Sequence, residues 1–223
     1  MKKGNLLKKV AKFSEAEQCY REALDRGEKV LNNYPSDTNV IYDVGLAYNK
    51  IAQVMLRKSK YNICLLQYKA ASNECLKAYN FECGVVKNKL NYISSTQIEA
   101  AANMESGYDV VAEVLNSKAL DLWSTISEKD ASALNISFAQ AKSALLAMKK
   151  KDLYTASELE ILASSVALTE LENQNNSDIM LNKAVSVIKD CVEIRFAHGE
   201  VETAQRYIYA LSQYIEKAIS KDR

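Results

Sequence analysis

Residues 48–71 read YNKIAQVMLRKSKYNICLLQYKAA, and this stretch decides the fold. Apolar residues recur three or four positions apart on both sides of a polar break at residues 57–60, which is the spacing of one apolar stripe on each of two helices. Small residues at Ala52 and Cys64 allow the two backbones to approach closely. The stretch therefore predicts a helix, a tight turn and a second helix that packs back on the first.

The rest of the chain repeats this pattern at nearly constant intervals. In each second helix one residue is predicted to lie where the helices of a pair come closest, and these residues are Ala16, Cys64, Val111, Ala156 and Ala204. Successive members lie 48, 47, 45 and 48 residues apart. A period of this size is typical of a stacked array, in which each repeat buries one face against its neighbours.

Composition favours the same architecture. Of the 223 residues 48% are apolar and 26% are charged, which is typical of a folded globular chain. One proline and six glycines favour long helices, and no segment shows the alternation of a strand. We expect an all-α protein of about nine helices that forms a single domain over residues 1–223. Its repeats should lie near residues 13–35, 38–83, 85–126, 130–173 and 178–220.

The order Tyr48, Ile51, Ala52 and Met55, followed after the break by Cys64, resembles the helix–turn–helix unit of the tetratricopeptide repeat (TPR) superfamily. A usual repeat of that superfamily has about 34 residues, so the repeats here are about a dozen residues longer, and they look like the kinesin-light-chain-like branch. The resemblance implies a right-handed superhelix, or α-solenoid, that binds proteins or peptides as a scaffold.

In the TPR superfamily the first helix of each repeat lines the concave binding surface, and the resemblance carries this role to three sets of positions. These are Asn49, Gln53 and Leu56 in the clearest repeat, Ile93, Gln97 and Ala100 in the next, and Lys189, Glu193 and Phe196 near the far end. Some members hold carboxylate tails with a lysine–asparagine clamp. Asn49 and Gln53 do not reproduce that clamp, so binding of such tails is not implied.

Charge is distributed unevenly along the chain although its net value is only +1. Residues 1–91 carry 16 basic and 9 acidic side chains, whereas residues 92–223 carry 13 and 19. Two interpretations remain open: a basic end that attracts an acidic peptide, or a charge pattern that serves only solubility. The lysines near the start lack interleaved aromatic residues and arginine clusters, which argues against nucleic acid as the partner.

No motif in the sequence indicates catalysis, a cofactor or a metal site. Glycine-rich phosphate loops and the common hydrolase and zinc-protease motifs are missing, and the one histidine, His198, is predicted near a helix end. The five cysteines form no C-x2-C pair, and we interpret them as reduced thiols on apolar stripes, with Cys75 and Cys83 on one shared face. We therefore expect a binding protein without enzymatic activity. The alternative is a ligand-sensing regulatory segment of a larger signalling protein.

The N-terminal end poses a problem for a solenoid, because every repeat leaves one face bare unless something covers it. Residues 1–12 are too few for a full first helix, so the stripe that contains Phe13, Tyr20 and Leu24 lacks a partner. A partial cap formed by residues 1–12, a second chain, or further repeats could cover it. We expect the cover to be another chain, for example in a homo-oligomer, or further sequence.

The chain start gives no sign of export. The basic residues of this segment are not followed by the apolar run of a secretory signal, and no stretch is long and apolar enough for a membrane span. The expected location is the cytoplasm.

Overall fold

The computed structural model describes residues 1–127, 133–172 and 178–221, and within these ranges the secondary structure consists of ten α-helices without a strand. The helices are α1 Lys2–Lys9, α2 Phe13–Asn33, α3 Thr38–Arg57, α4 Tyr61–Phe81, α5 Val86–Glu105, α6 Asp109–Ser124, α7 Ala133–Lys149, α8 Leu153–Glu172, α9 Asp178–Ala197 and α10 Val201–Lys221. The all-α prediction is confirmed. The expected number was about nine, and the additional helix is α1, which lies in the segment that was predicted to be at most a partial cap.

Five helix pairs are closed by the same three-residue turn. In each turn the middle residue has a positive φ, and these residues are Ala11, Ser59, Gly107, Lys151 and Gly199. The next residue donates its backbone N–H to a carbonyl five positions earlier, as in the bond of 2.9 Å from Lys60 to Met55. This left-handed C-terminal motif satisfies carbonyls at the helix end and reverses the chain, so the two helices of a pair run antiparallel.

The turns give the repeat period independently of side-chain packing. The left-handed residues lie 48, 48, 44 and 48 positions apart. Five residues after each one comes a residue that is at most 2% exposed, and these are Ala16, Cys64, Ala112, Ala156 and Ala204. The sequence-based choice of Val111 is therefore wrong by one position, since Val111 is 46% exposed and Ala112 is 1% exposed. Alanine fits the close helix contact because it has no side chain beyond Cβ.

Replacing Ser59 with glycine should raise the free energy of unfolding by about 0.5–1 kcal/mol. The left-handed conformation costs an L-residue about 1–2 kcal/mol, and the greater freedom of glycine in the unfolded chain offsets part of the gain. Urea unfolding followed by circular dichroism measures the change. As a control, Ser117→Gly on the exposed side of α6 should destabilise the protein by about 0.5 kcal/mol. A loss of stability in both variants would contradict the assigned turn.

The chain divides into two compact units, residues 1–119 and 120–223. In the first unit each helix from α1 to α4 packs against the next. The core of this unit contains Tyr20 from α2, Ile51 and Met55 from α3, and Tyr68 from α4. Tyr61, in contrast, begins α4 and is 55% exposed, so this tyrosine of the opening stretch does not belong to the core.

Helix α1 covers the face of α2 that was predicted to lack a partner within residues 1–12. Gly4 is buried against the ring of Tyr20, and the hydroxyl of Tyr20 donates a hydrogen bond of 2.8 Å to Oδ1 of Asn5. Met1 and Leu7 pack against the same core, and Tyr20 is 0% exposed. Residues of this chain therefore form the partial cap, and the preference for another chain or further sequence at this face is not supported.

The second unit shows how consecutive repeats stack. Helix α7 contacts α9, and α8 contacts α10, so first helices pack on first helices and second helices on second. Residues one period apart consequently meet: Lys142 and Asp190 are 48 positions apart, and their Nζ and Oδ2 atoms lie 2.7 Å apart. The predicted repeat boundaries at residues 130 and 173 lie outside the described residues. The single domain over residues 1–223 stays a prediction.

Candidate binding face on the third helix

The predicted residues of the clearest repeat lie together on α3. The side-chain amide of Gln53 donates a hydrogen bond of 2.9 Å to Oδ1 of Asn49, one helical turn earlier. Both residues are half-buried, and Leu56 is 37% exposed. This part of α3 thus presents a linked pair of amides beside an apolar side chain.

Helix α1 adds a cation to this pair. Nζ of Lys8 donates a hydrogen bond of 2.6 Å to Oε1 of Gln53, which joins residues that are 45 positions apart. This hydrogen bond and the one between Gln53 and Asn49 join the three side chains into one polar network. Lys8 was not among the residues predicted for this surface, because it reaches Gln53 only through a contact between distant parts of the chain.

Three cations surround Gln53. Burial lowers the pKa of Lys8, and the positive charges of Lys50 and Arg57 each lower it further, which is consistent with both cations lying near Lys8. Lys50, Gln53 and Arg57 are three and four residues apart and therefore follow one side of α3. In the part of the chain that the structure describes, no carboxylate forms an ion pair with any of the three cations.

The cations, Asn49, Gln53 and Leu56 together form what we call the α3 face. Its positive charge is not neutralised by the described part of the protein, and its amides offer both donors and acceptors. An anionic group placed here would relieve the repulsion among the cations and gain hydrogen bonds with charged donors, which are stronger than those between neutral groups. The α3 face is therefore suited to bind carboxylates or other anions.

The predicted positions on α5 do not extend this face. Ile93, Gln97 and Ala100 are 0%, 1% and 2% exposed, because α5 is buried on most sides. The structure therefore does not place these three side chains on an open surface, contrary to the prediction. Their i, i+4, i+7 spacing is the same as that of the α3 residues, so spacing alone could not reveal the difference in burial.

The third predicted group is exposed. Lys189, Glu193 and Phe196 share the solvent side of α9, and Phe196 is 47% exposed. One cation, one anion and one aromatic ring form no concentrated charge, so this group lacks the electrostatic character of the α3 face.

The cysteines behave mostly as buried apolar residues. Cys64, Cys75 and Cys191 are buried, Cys19 is half-buried, and all five thiols are free. Burial raises the pKa of Cys64 to about 11 and also raises the pKa of Cys75, so these thiols stay protonated at neutral pH. Cys83 differs from the prediction, because α4 ends at Phe81 and the Cys83 side chain is exposed rather than part of an apolar stripe.

A second set of charged residues is structural in character. Arg195 on α9 forms an ion pair with Glu160 on α8, and its Nη1 lies 2.7 Å from Oε2 of Glu200. Glu160 is 0% exposed and Arg195 is 6% exposed. Burial disfavours the charge on Arg195, but the two glutamates outweigh that effect and raise its pKa. The pair joins two helices in the core of the second unit and offers no access for a ligand.

The antiparallel helix pairs, the repeated turn and the stacked first and second helices of the second unit are the features of a TPR-like helical-repeat fold. A crystal structure of BtubC (BKLC) from P. vanneervenii has a similar fold, with a TM-score of 0.67 at 15% sequence identity, and the match covers 96% of this chain and 78% of that chain. No family model matches the sequence, and no curated protein matches it. None of the described helices is long and apolar enough to cross a membrane.

Proposed function

We propose that this protein is a scaffold that binds a partner protein or peptide, and that the α3 face receives an acidic segment of the partner. The observation that carries the proposal is the group of Lys8, Lys50 and Arg57 around Gln53, without a carboxylate partner among the described residues. The similarity of fold to a helical-repeat protein supports the general role, because repeat folds present extended surfaces to partners.

The chemistry of the α3 face favours carboxylates on an extended chain. Arg57 offers a planar fork of donors that matches a carboxylate, and the lysines add mobile point charges. The amides of Asn49 and Gln53 can bond to the backbone of a peptide, and exposed Leu56 provides an apolar contact beside them. This combination can hold a peptide in which acidic and apolar residues alternate.

The proposal is one of binding alone, without catalysis or a cofactor. We also propose that the protein is located in the cytoplasm. Reducing conditions there keep thiols free, which agrees with five cysteines that form no disulfide in the structure. The basic character of residues 1–91 should steer an acidic partner toward this part of the protein and speed the encounter.

A fluorescein-labelled peptide of alternating glutamate and leucine tests the proposal by fluorescence anisotropy. We expect saturable binding that weakens as NaCl rises from about 50 mM to about 300 mM, because salt screens the charges of an exposed site. Arg57→Glu should weaken binding about tenfold or more, equivalent to about 1.4 kcal/mol. A lysine–leucine peptide of the same length should not bind.

Arg26→Glu is the matched control, because it makes the same change of net charge within the same compact unit. Arg26 lies on α2, its side chain is 74% exposed, and its Nη2 lies 4.0 Å from Oε2 of Glu22. This variant should bind the acidic peptide within about twofold of the parent protein. Equal losses in both variants would show that only overall charge matters and would refute a site on the α3 face.

A further inference from the structure

Two lysines in the second unit share one aromatic ring. Nζ of Lys142 on α7 lies 5.3 Å from the centroid of the Phe138 ring, and Nζ of Lys183 on α9 lies 5.4 Å from the same centroid. Lys183 also donates a hydrogen bond to the side-chain oxygen of Asn135, which is one repeat period earlier in the chain. The ring and the amide fix the Lys183 amine between the two helices.

The two amines differ in their counter-charges. Lys142 is buried and forms an ion pair with Asp190, whereas Lys183 is half-buried and has no ion pair with any described residue. Two buried carboxylates at α9 are engaged with other cations, since Asp190 pairs with Lys142 and Glu160 from α8 pairs with Arg195. Lys183 thus holds its charge beside a neutral ring and a neutral amide.

Removal of water from an ammonium without a counter-charge favours its neutral form. Burial accordingly lowers the pKa of Lys183 to about 8. Near neutral pH a much larger share of the molecules therefore carries a neutral amine here than at an ordinary lysine. The neutral amine is the nucleophile, so this site combines a reactive form with partial access to solvent.

We propose that Lys183 is an acylation site, at which the side-chain amine takes an acyl group from an activated donor such as an acyl phosphate or an acyl thioester. The nitrogen lone pair attacks the acyl carbon, the new C–N bond forms, and the C–O or C–S bond to the leaving group breaks. Phosphate or thiolate departs with the bonding electrons, and the amine releases its proton to water. No oxidant or reductant is required.

Acylation would change the contact between α7 and α9. The amide product is neutral, so it loses the attraction of the ammonium to the Phe138 ring, although its N–H can still donate to Asn135. The acyl group would also have to fit beside the ring. The modified residue therefore alters the packing of two consecutive first helices of the second unit.

The test uses acetyl phosphate as the donor and the full chain as the substrate. Initial rates of acetylation at each lysine, measured by peptide mass spectrometry, should show Lys183 reacting at least about tenfold faster than Lys189 at about pH 7.5. Lys189 lies on the same helix and is exposed, so acetyl phosphate reaches its amine more easily than that of Lys183. The rate at Lys183 should level off above about pH 8. Lys142 should react only after unfolding in urea, where Lys183 loses its advantage.

Asn135→Asp provides a second variant with almost unchanged shape. The new carboxylate would pair with Lys183, hold the amine protonated and reduce its rate at about pH 7.5 to within about twofold of that of Lys189. Circular dichroism verifies that the variant keeps its fold. The proposal is overturned if Lys183 reacts no faster than Lys189 in the parent protein, or if Asn135→Asp leaves the rate at Lys183 unchanged.

Discussion

Replacing Arg195 with methionine is expected to lower the free energy of unfolding by about 3–5 kcal/mol, because the substitution leaves the buried Glu160 carboxylate without its cation. Glu160 is 0% exposed, and its ion pair is with Arg195. Methionine keeps much of the length of the arginine stem, so lost packing contributes little. Urea unfolding followed by circular dichroism measures the change.

Removing both charges separates the cost of an unpaired carboxylate from that of the lost pair. The double variant Glu160→Gln with Arg195→Met should lose only about 1 kcal/mol, since replacing both partners avoids the unpaired charge. Glu200 lies at the exposed end of the network, with 45% of its side chain accessible, and can be solvated without the arginine. A double variant that is less stable than Arg195→Met alone would contradict this account of the network.

Helical periodicity was sufficient to predict the architecture but not each register. The all-α fold and the series of five repeats follow from the spacing of apolar residues, which depends only on neighbours along one helix. Residues 110–112 read Val-Val-Ala, and the apolar periodicity is compatible with any of the three as the residue at the close contact between the two helices of the pair. In the structure Ala112 is the buried contact residue, because the left-handed turn at Gly107 fixes where α6 starts. The left-handed conformation that the five turns share was not predicted, because only two of their left-handed residues are glycine.

The candidate site was predictable in part. The resemblance to the TPR superfamily placed Asn49 and Gln53 on one candidate surface, and the structure shows the two side chains hydrogen-bonded to each other on α3. Their role in binding stays a prediction. Lys8 reaches Gln53 through a contact between residues 45 positions apart, and no local pattern encodes such a contact. The same limit explains Ile93 and Gln97, since spacing tells which residues share a face but not whether other helices cover that face.

The second large effect is expected at Gly4, where the short helix α1 meets α2. A Cβ atom at this position would lie 2.6 Å from Cε1 of the Tyr20 ring, a distance that the packed ring cannot accept without a shift. Gly4→Leu should therefore push α1 away, break the hydrogen bond between Tyr20 and Asn5, and lower the free energy of unfolding by about 1–3 kcal/mol. Displacement of α1 should also carry Lys8 away from Gln53 and weaken binding of the acidic peptide.

Gly84→Leu is the control for the change of side chain, because nothing lies within 4 Å of a Cβ atom at Gly84. This variant should stay within about 0.5 kcal/mol of the parent protein and bind the peptide equally well. Light scattering on Gly4→Leu adds a further readout, since an uncovered Tyr20 ring would leave an apolar patch that favours self-association. If Gly4→Leu matches Gly84→Leu in stability, peptide affinity and mass, then α1 does not form the cap of the first repeat.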